Sequence, residues 1–323
     1  MNKASLKTKL AGRLSFLFLI PGLLCGLRTA SAEESGSPGP NIHLRGNFLN
    51  SHFSFTARKK GHVAFIGGSI TAMNGYRPML CGFLQKRFPE TKFTFTNAGI
   101  SSTCSTSGAF RLQRDVLSKG PVDLFFIEYA VNDDQDAAHA RRECIRGMEG
   151  ILRQVRAHNP MADIVITHFV NPGMLKTVGQ GKEPVSSGAH EDVAKHYGVS
   201  TIHLIREVDR LIAAGELTWR KFGGTHPGPH GNRLCARMIE KLLTSSWSMK
   251  PAGKAAKVAH ALPKKELDAG SYGAGRFIDP ATAEIKTGWK NHVPEWKKIG
   301  GGFRNTFAGK KLLSATAPGA ECR

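Results

Sequence analysis

The apolar run His62-Val63-Ala64-Phe65 leads directly into Ile66-Gly67-Gly68-Ser69-Ile70-Thr71, and this junction restricts the fold more than any other stretch of the chain. A continuous apolar run of this length reads as a strand buried on both faces, and its ending in two glycines and a hydroxyl opens onto a sharp turn. Without Cβ atoms at positions 67 and 68, backbone and a bound carbonyl approach the serine closely. Open α/β sheets hold their chemistry at the carboxyl ends of their strands, which makes Ser69 the first candidate site residue.

The same rhythm repeats downstream. Residues 92–96 alternate, residues 122–128 are almost continuously apolar, residues 163–167 form another such run, and a short strand is expected at 200–203. Between them, helical spacing appears at Met79, Phe83 and Leu84, then at Cys144, Ile145, Met148, Ile151, Leu152 and Val155. Further helices are expected around 204–213 and 232–243. Alternating strands and helices build right-handed βαβ crossovers and a parallel sheet covered on both faces, so the expected class is α/β.

The ends of the chain read differently. Lys3, Lys7, Lys9 and Arg13 precede an apolar stretch over residues 14–26, and Ala30-Ser31-Ala32 supplies a small-residue cleavage pattern. This predicts a signal peptide over 1–32 and export, because the stretch is about two thirds of what a membrane-spanning helix needs. No stable membrane insertion is expected after cleavage. Residues 33–59 are a tether and lead-in, 60–247 the α/β domain, and 248–323 an irregular or β-rich extension whose aromatics, Trp289 and Trp296 among them, lack helical spacing. That extension is expected to be a truncated module or a wrapping tail, with sugar stacking on the tryptophans as the sharper idea.

The formal charge of +20 is spread along the chain with no compact arginine-rich stripe, so a nucleic-acid partner is not expected. In an oxidising compartment the five cysteines left after cleavage, Cys81, Cys104, Cys144, Cys235 and Cys322, leave room for a disulfide without fixing which. Cys81, Cys144 and Cys235 fall at apolar helical positions and read as small buried hydrophobes.

Asn97-Ala98-Gly99 follows the second strand, Asn132-Asp133 the third, and Thr225-His226-Pro227 precedes the final helix. All lie on one edge of one sheet. A hydroxyl, an amide at a glycine, a carboxamide and an imidazole together supply what acyl transfer requires: a nucleophile, oxyanion donors and a base. Competing chemistries fit less well. His230 makes no metal motif with His226, Glu128 and Asp133 are split between a strand and the turn beyond it, and Gly67-Gly68 lacks the lysine of a phosphate loop. No metal or cofactor is expected.

The blocks Gly67-Gly68-Ser69, Asn97-Ala98-Gly99, Val131-Asn132-Asp133 and Thr225-His226-Pro227 resemble, in order and spacing, the signature blocks of the SGNH (GDSL-like) hydrolases, over about residues 61–246. The resemblance implies a three-layer α/β/α sandwich with a flavodoxin-like parallel sheet. It further implies Ser69 as nucleophile, His226 as general base, and an oxyanion hole made by the Ser69 and Gly99 amides with the Asn132 side chain. Three positions depart from the family pattern: Gly68 replaces an aspartate, Ala130 stands where glycine is frequent, and Gly223 occupies the place of the aspartate that orients the histidine. A triad without its carboxylate loses on the order of 10⁴ in turnover in a serine-protease frame, so a Ser-His dyad is expected at least as readily as a triad.

Arg77, the hydroxyl-rich residues 101–107 and an overhanging loop at 171–188 are expected to line a polar cleft suited to sugars. The expected function is an exported esterase that removes small acyl groups, such as acetyl, from a carbohydrate. The alternative is a catalytically weak relative that keeps the cleft to bind glycans.

Overall fold

The structure is a computed structural model that describes residues 38–249, 257–298 and 308–323; the expected signal segment, 1–32, lies outside them. Six strands form the main sheet: β1 (Ile42–His43), β2 (Lys60–Gly67), β3 (Lys92–Gly99), β4 (Leu124–Glu128), β5 (Asp163–Thr167) and β6 (Ser200–Ile202). Their order is β1-β6-β5-β4-β2-β3, parallel throughout except for β1, which runs antiparallel along β6. Leaving β1 aside, this is the flavodoxin-like order, whose direction reverses between β2 and β4. The reversal opens a crevice at the ends of those two strands, where the turns carrying Ser69 and Asn132 begin.

The period of two in each strand explains why whole runs are apolar. Val63, Phe65, Phe126 and Val165 point to one face, while Ala64, Ile66, Phe125, Ile127, Ile164 and Ile166 point to the other. Each face therefore needs its own helical layer.

The helices are α1 (Leu49–Thr56), α2 (Ser69–Ala72), α3 (Tyr76–Arg87), α4 (Ser105–Asp115), α5 (Ala130–Gln135), α6 (Arg141–His158), α7 (Pro172–Gly179), α8 (Val185–His196), α9 (Leu204–Ala213), α10 (Trp219–Phe222) and α11 (Pro229–Trp247). Phe55 of α1, Leu80 and Leu84 of α3, Val208 of α9 and Ile239 and Leu242 of α11 cover the first face. Leu112 of α4, Met148, Ile151 and Leu152 of α6 and Val193 of α8 cover the second. The result is the three-layer α/β/α sandwich. Among the described residues no helix is long and apolar enough to cross a membrane.

One expectation changes here. Residues 171–188 are not a loop: Asn171 caps α7, its Oδ1 accepting from Met174 N at 2.8 Å, and Pro172 sits at the first helical position. Asn-Pro-Gly looks like a turn, yet an asparagine cap followed by proline is equally a helix start, and packing decides for the helix. The disulfide that the sequence left open does not form among the described residues: Cys81, Cys104, Cys144, Cys235 and Cys322 are all free thiols, with Cys144 and Cys235 buried.

Beyond α11 the chain returns over the domain. His260 Nε2 meets Asp163 Oδ1 at 2.7 Å, Glu149 accepts the amides of Leu267 and Asp268, and Tyr272 packs on Phe110 while its hydroxyl donates to Glu143 at 2.7 Å. These contacts lay residues 257–277 across α6 and α4. Two small antiparallel pairs follow, β7 (Ile285–Thr287) with β10 (Glu321–Cys322) and β8 (Trp289–His292) with β9 (Leu312–Ala315).

Candidate active site

Ser69 is the first residue of α2, directly behind β2, so its hydroxyl stands at the carboxyl edge of the sheet. His226 lies in the turn between α10 and α11. Its Nε2 is 2.7 Å from Ser69 Oγ, although 157 positions separate the two residues. With the serine O–H donating, Nε2 accepts and the ring proton resides on Nδ1. The imidazole is exposed, and among the described residues no hydrogen bond reaches its Nδ1.

The reason lies in the turn itself. Gly223 ends α10 with φ +105°, and a Cβ built there falls 1.9 Å from Gly228 N, whose amide closes the turn onto Phe222 O at 2.9 Å. The backbone that aims His226 thus leaves no room for any side chain at position 223. An orienting aspartate does not fit this turn.

Asn132 sits in the first turn of α5, behind β4, and is buried. Its carboxamide fills the space beside Gly68: a Cβ on that glycine falls 1.9 Å from Asn132 Oδ1. Gly68 and Asn132 are therefore complementary, and the glycine that departs from the family pattern makes way for the amide. Asn132 Nδ2 donates to Asp136, whereas Oδ1 has no partner. Gly99 pairs in register with Gly67, and its amide donates to Asn97 Oδ1 at 3.0 Å. Arg77 turns towards the loop after Ser69, donating from Nε to Thr71 O at 3.2 Å and from Nη2 to Asn74 Oδ1 at 3.3 Å. Of the hydroxyls in 101–107, Ser105 is buried against Asp133 and Ser107 closes the turn at Cys104.

Two supporting residues escaped the sequence reading. Buried Asn232 of α11 donates from Nδ2 to Pro227 O at 2.5 Å and to Gly228 O at 3.1 Å, while its Oδ1 accepts from Tyr76 N at 2.8 Å. It ties the His226 turn to the segment that follows Ser69. Its signal was a lone amide on an apolar stripe, since Asn232, Cys235, Ala236 and Ile239 recur at helical spacing. Arg111, also buried, donates to Ala98 O at 2.7 Å, Gly67 O at 3.1 Å and the Tyr129 hydroxyl at 2.7 Å. One guanidinium thereby joins the ends of β2, β3 and β4.

Beneath Asn132 lies a layer of buried carboxylates and imidazoles. Asp133 accepts from Ser105 N at 2.8 Å, Ser105 Oγ at 2.6 Å and His190 Nε2 at 2.9 Å, with His139 Nδ1 3.5 Å away. Burial alone would raise its carboxyl, but His139, His190 and Ser105 hold it well below the usual range. Glu191 is also depressed: burial opposes ionisation, and His168, His203 and His43 outweigh it. Asp133, His139 and Cys144 lie close enough to share a metal ion, as do His43, Glu191 and His203. Neither donor set fits one. Asp133 is already saturated with donors, and Arg45 donates to both Glu191 Oε1 and His43 Nδ1, so a guanidinium takes the place of a cation.

The sequence model of the GDSL-like Lipase/Acylhydrolase family matches residues 65–234. Among solved structures the chain is similar to a two-domain esterase active on acetylated mannans, with 24% identity and a TM-score of 0.58 over 70% of this chain and 60% of that one. A structure of a two-domain esterase active on acetylated mannans co-crystallized with mannopentaose gives 22% identity and a TM-score of 0.60, covering 78% and 65%. The chain thus spans less than two thirds of that esterase's length, and at these identities the likeness is one of fold. A comparison with curated proteins gives no match. The family match takes in every strand end that faces the crevice, and on that ground the chain belongs to the GDSL-like lipase/acylhydrolase family.

Proposed function

We propose that the protein is an exported serine esterase that removes small acyl groups, acetyl foremost, from a carbohydrate. The observation that carries this reading is the 2.7 Å contact between Ser69 Oγ and His226 Nε2 at the mouth of the crevice. Ser69 Oγ attacks the ester carbonyl carbon as its proton passes to His226 Nε2, and the carbonyl electron pair moves onto oxygen. Collapse of that tetrahedral species breaks the bond to the sugar oxygen, which leaves with the proton from Nε2. Water then attacks the acyl-serine by the same route, returning the proton to Ser69.

The Ser69 amide and the second N–H of Asn132 Nδ2, the one not given to Asp136, are the oxyanion donors in this reading. The Gly99 amide joins them once Asn97 releases it. Without a partner on Nδ1, His226 works with Ser69 as a dyad. The acetyl and carbohydrate preference draws on Arg77 beside the turn that follows Ser69 and on the mannan esterase that shares the fold.

Hydrolysis of p-nitrophenyl acetate and of acetylated mannan or xylan oligosaccharides by the wild type and Ser69→Ala tests the proposal. Acetate release by the wild type and background rates for the variant are expected; equal rates remove the enzyme. The unpartnered Nδ1 favours one second reading, a weak relative that binds glycans. Oligosaccharide binding with no Ser69-dependent hydrolysis would select it.

A further inference from the structure

Glu128 is the last residue of β4, paired in register with Gly67 at the end of β2. It is fully buried, and the sequence assigns it no task in acyl transfer. Its Oε2 accepts from Thr71 Oγ1 at 3.0 Å, and the backbone N–H groups of Gly68 and Thr71 are directed at the same carboxyl. All three donors belong to the four-residue segment that contains Ser69. The space is close: a Cβ on Gly67 would lie 2.7 Å from Glu128 Oε2. Thr71 Oγ1 lies in turn 3.0 Å from the Tyr76 hydroxyl, so the chain of contacts continues into α3.

The other carboxyl oxygen, Oε1, is buried without a partner. A carboxylate spreads its charge over both oxygens, and a buried oxygen with no protein donor makes the anion costly. The neighbours do not relieve this. Tyr76 from α3 and Cys235 from α11 lie near the group as side chains whose own ionisation it opposes, and Asp133 of α5 adds a like charge. Among the described residues, Arg111 from α4 is directed to Tyr129, Gly67 O, Ala98 O and Asp115 instead, and Arg77 from α3 to Thr71 O and Asn74 Oδ1. Burial foremost therefore pushes the Glu128 carboxyl up to about 8.

We propose that Glu128 is the positioning residue of the nucleophile turn: uncharged, its carboxyl gathers the 68–71 segment into the shape that presents Ser69, and ionised, it sets an anion beside the carbonyl oxygen that must itself become negative. This rests on the esterase reading above. It adds to that reading an alkaline limb with an origin in the protein. Activity is full while the carboxyl holds its proton and falls as pH rises through about 8. At the effective dielectric of a protein, a charge in contact with Gly68, the residue before the reacting serine, is worth a loss on the order of tenfold or more.

Glu128→Gln keeps an acceptor for the same three donors and never ionises. Wild type, Glu128→Gln, Glu128→Ala and Ser69→Ala are compared for kcat between pH 6 and 9.5, with the Ser69→Ala rate subtracted at each pH. Expected are a fall in the wild type centred near pH 8, a flat alkaline side in Glu128→Gln with a wild-type rate at pH 7, and a kcat at pH 7 well below wild type in Glu128→Ala. An alkaline limb unchanged in Glu128→Gln, or a wild-type kcat in Glu128→Ala, overturns the proposal. The infrared carbonyl stretch of a protonated buried carboxyl in the wild-type chain is independent of whether the variants fold: present at pH 7 and lost on titration it supports the proposal, absent at pH 7 it overturns it. Ser69→Ala hydrolysing as fast as wild type would instead sink the esterase reading.

Discussion

Ser69 and His226 meet across 2.7 Å, but the two halves of that contact are held very differently. On the serine side, Arg111 joins three strand ends, Glu128 gathers the 68–71 segment, and Asn132 fills the space beside Gly68. Each of these side chains is buried, so each hydrogen bond is sheltered from exchange with water. On the histidine side the imidazole is exposed and Nδ1 has no partner among the described residues. The turn is fixed through backbone, by Gly223 in a left-handed conformation and by Asn232 holding the Pro227 carbonyl. One half is pre-organised by side chains that point inward. The other is aimed through its main chain, which Asn232 holds, while the ring itself is bonded at Nε2 to Ser69.

That asymmetry is broken most sharply by removing each partner in turn. Ser69→Ala and His226→Ala are each expected to lower kcat by on the order of 10⁴-fold or more, and the double variant little further, because the two act as a unit. Added imidazole separates the halves. The vacated His226 position opens to solvent, so small imidazoles should restore part of the activity to His226→Ala and none to Ser69→Ala. Absence of rescue would mean that the histidine half is more closed than its exposure indicates.

Asn232→Ala sharpens the comparison at the joint between the halves. It frees the Pro227 carbonyl and the Tyr76 amide together, and a displacement of His226 by about 1 Å costs on the order of 10²-fold in kcat. KM should hardly change. A stability loss of about 1–3 kcal/mol accompanies it, from the buried groups left unpaired. A fall in stability with kcat intact would make Asn232 a fold residue only. Gly223→Asp asks whether the missing carboxylate can simply be supplied. Because φ at this position is +105° and a Cβ meets Gly228 N, we expect a destabilisation of about 1–3 kcal/mol and no gain in kcat. A faster enzyme would show that the turn reshapes to let a third member orient the histidine.

How much of this was legible in the sequence follows the same division. Ser69 and Asn132 could be placed because apolar runs end just before them and a parallel sheet makes strand ends neighbours. His226 could be placed because a helix after the last strand returns to that edge. What could not be read is which polar residues turn inward. Asn232 reaches Tyr76 across 156 positions and Glu128 reaches Thr71 across 57, and such meetings depend on register and helix rotation that no local pattern encodes. Ser105 failed for that reason too: it reads as cleft lining but serves Asp133 from within. Residues 171–188 failed differently, because Asn171-Pro172 is compatible with a turn and with a helix start, and only packing on the sheet separates them.

The smallest effect concerns what the rigid half stands on. His168 and His203 lie buried around Glu191, with ring centroids 4.6 Å apart, in the layer that continues through His190 to Asp133 beneath Asn132. Burial lowers both, His168 to about 4, and only partly does Glu191 oppose this. An unfolded chain binds a proton on each imidazole near pH 6.5, whereas the folded chain refuses it until pH has dropped further. Between these values the unfolded state holds more protons, so stability is complete above about pH 6.5 and declines as pH falls towards 4, by about 1.4 kcal/mol per pH unit for each proton excluded. Urea unfolding between pH 4.5 and 7.5 measures that slope. His168→Gln retains a donor for Glu191 without a titrating ring and should remove about one proton's share of it, leaving stability at pH 7 within about 1 kcal/mol. An unchanged slope would mean that His168 takes its proton in the folded chain as readily as in the unfolded one, and that the layer beneath the serine half does not depend on a neutral His168.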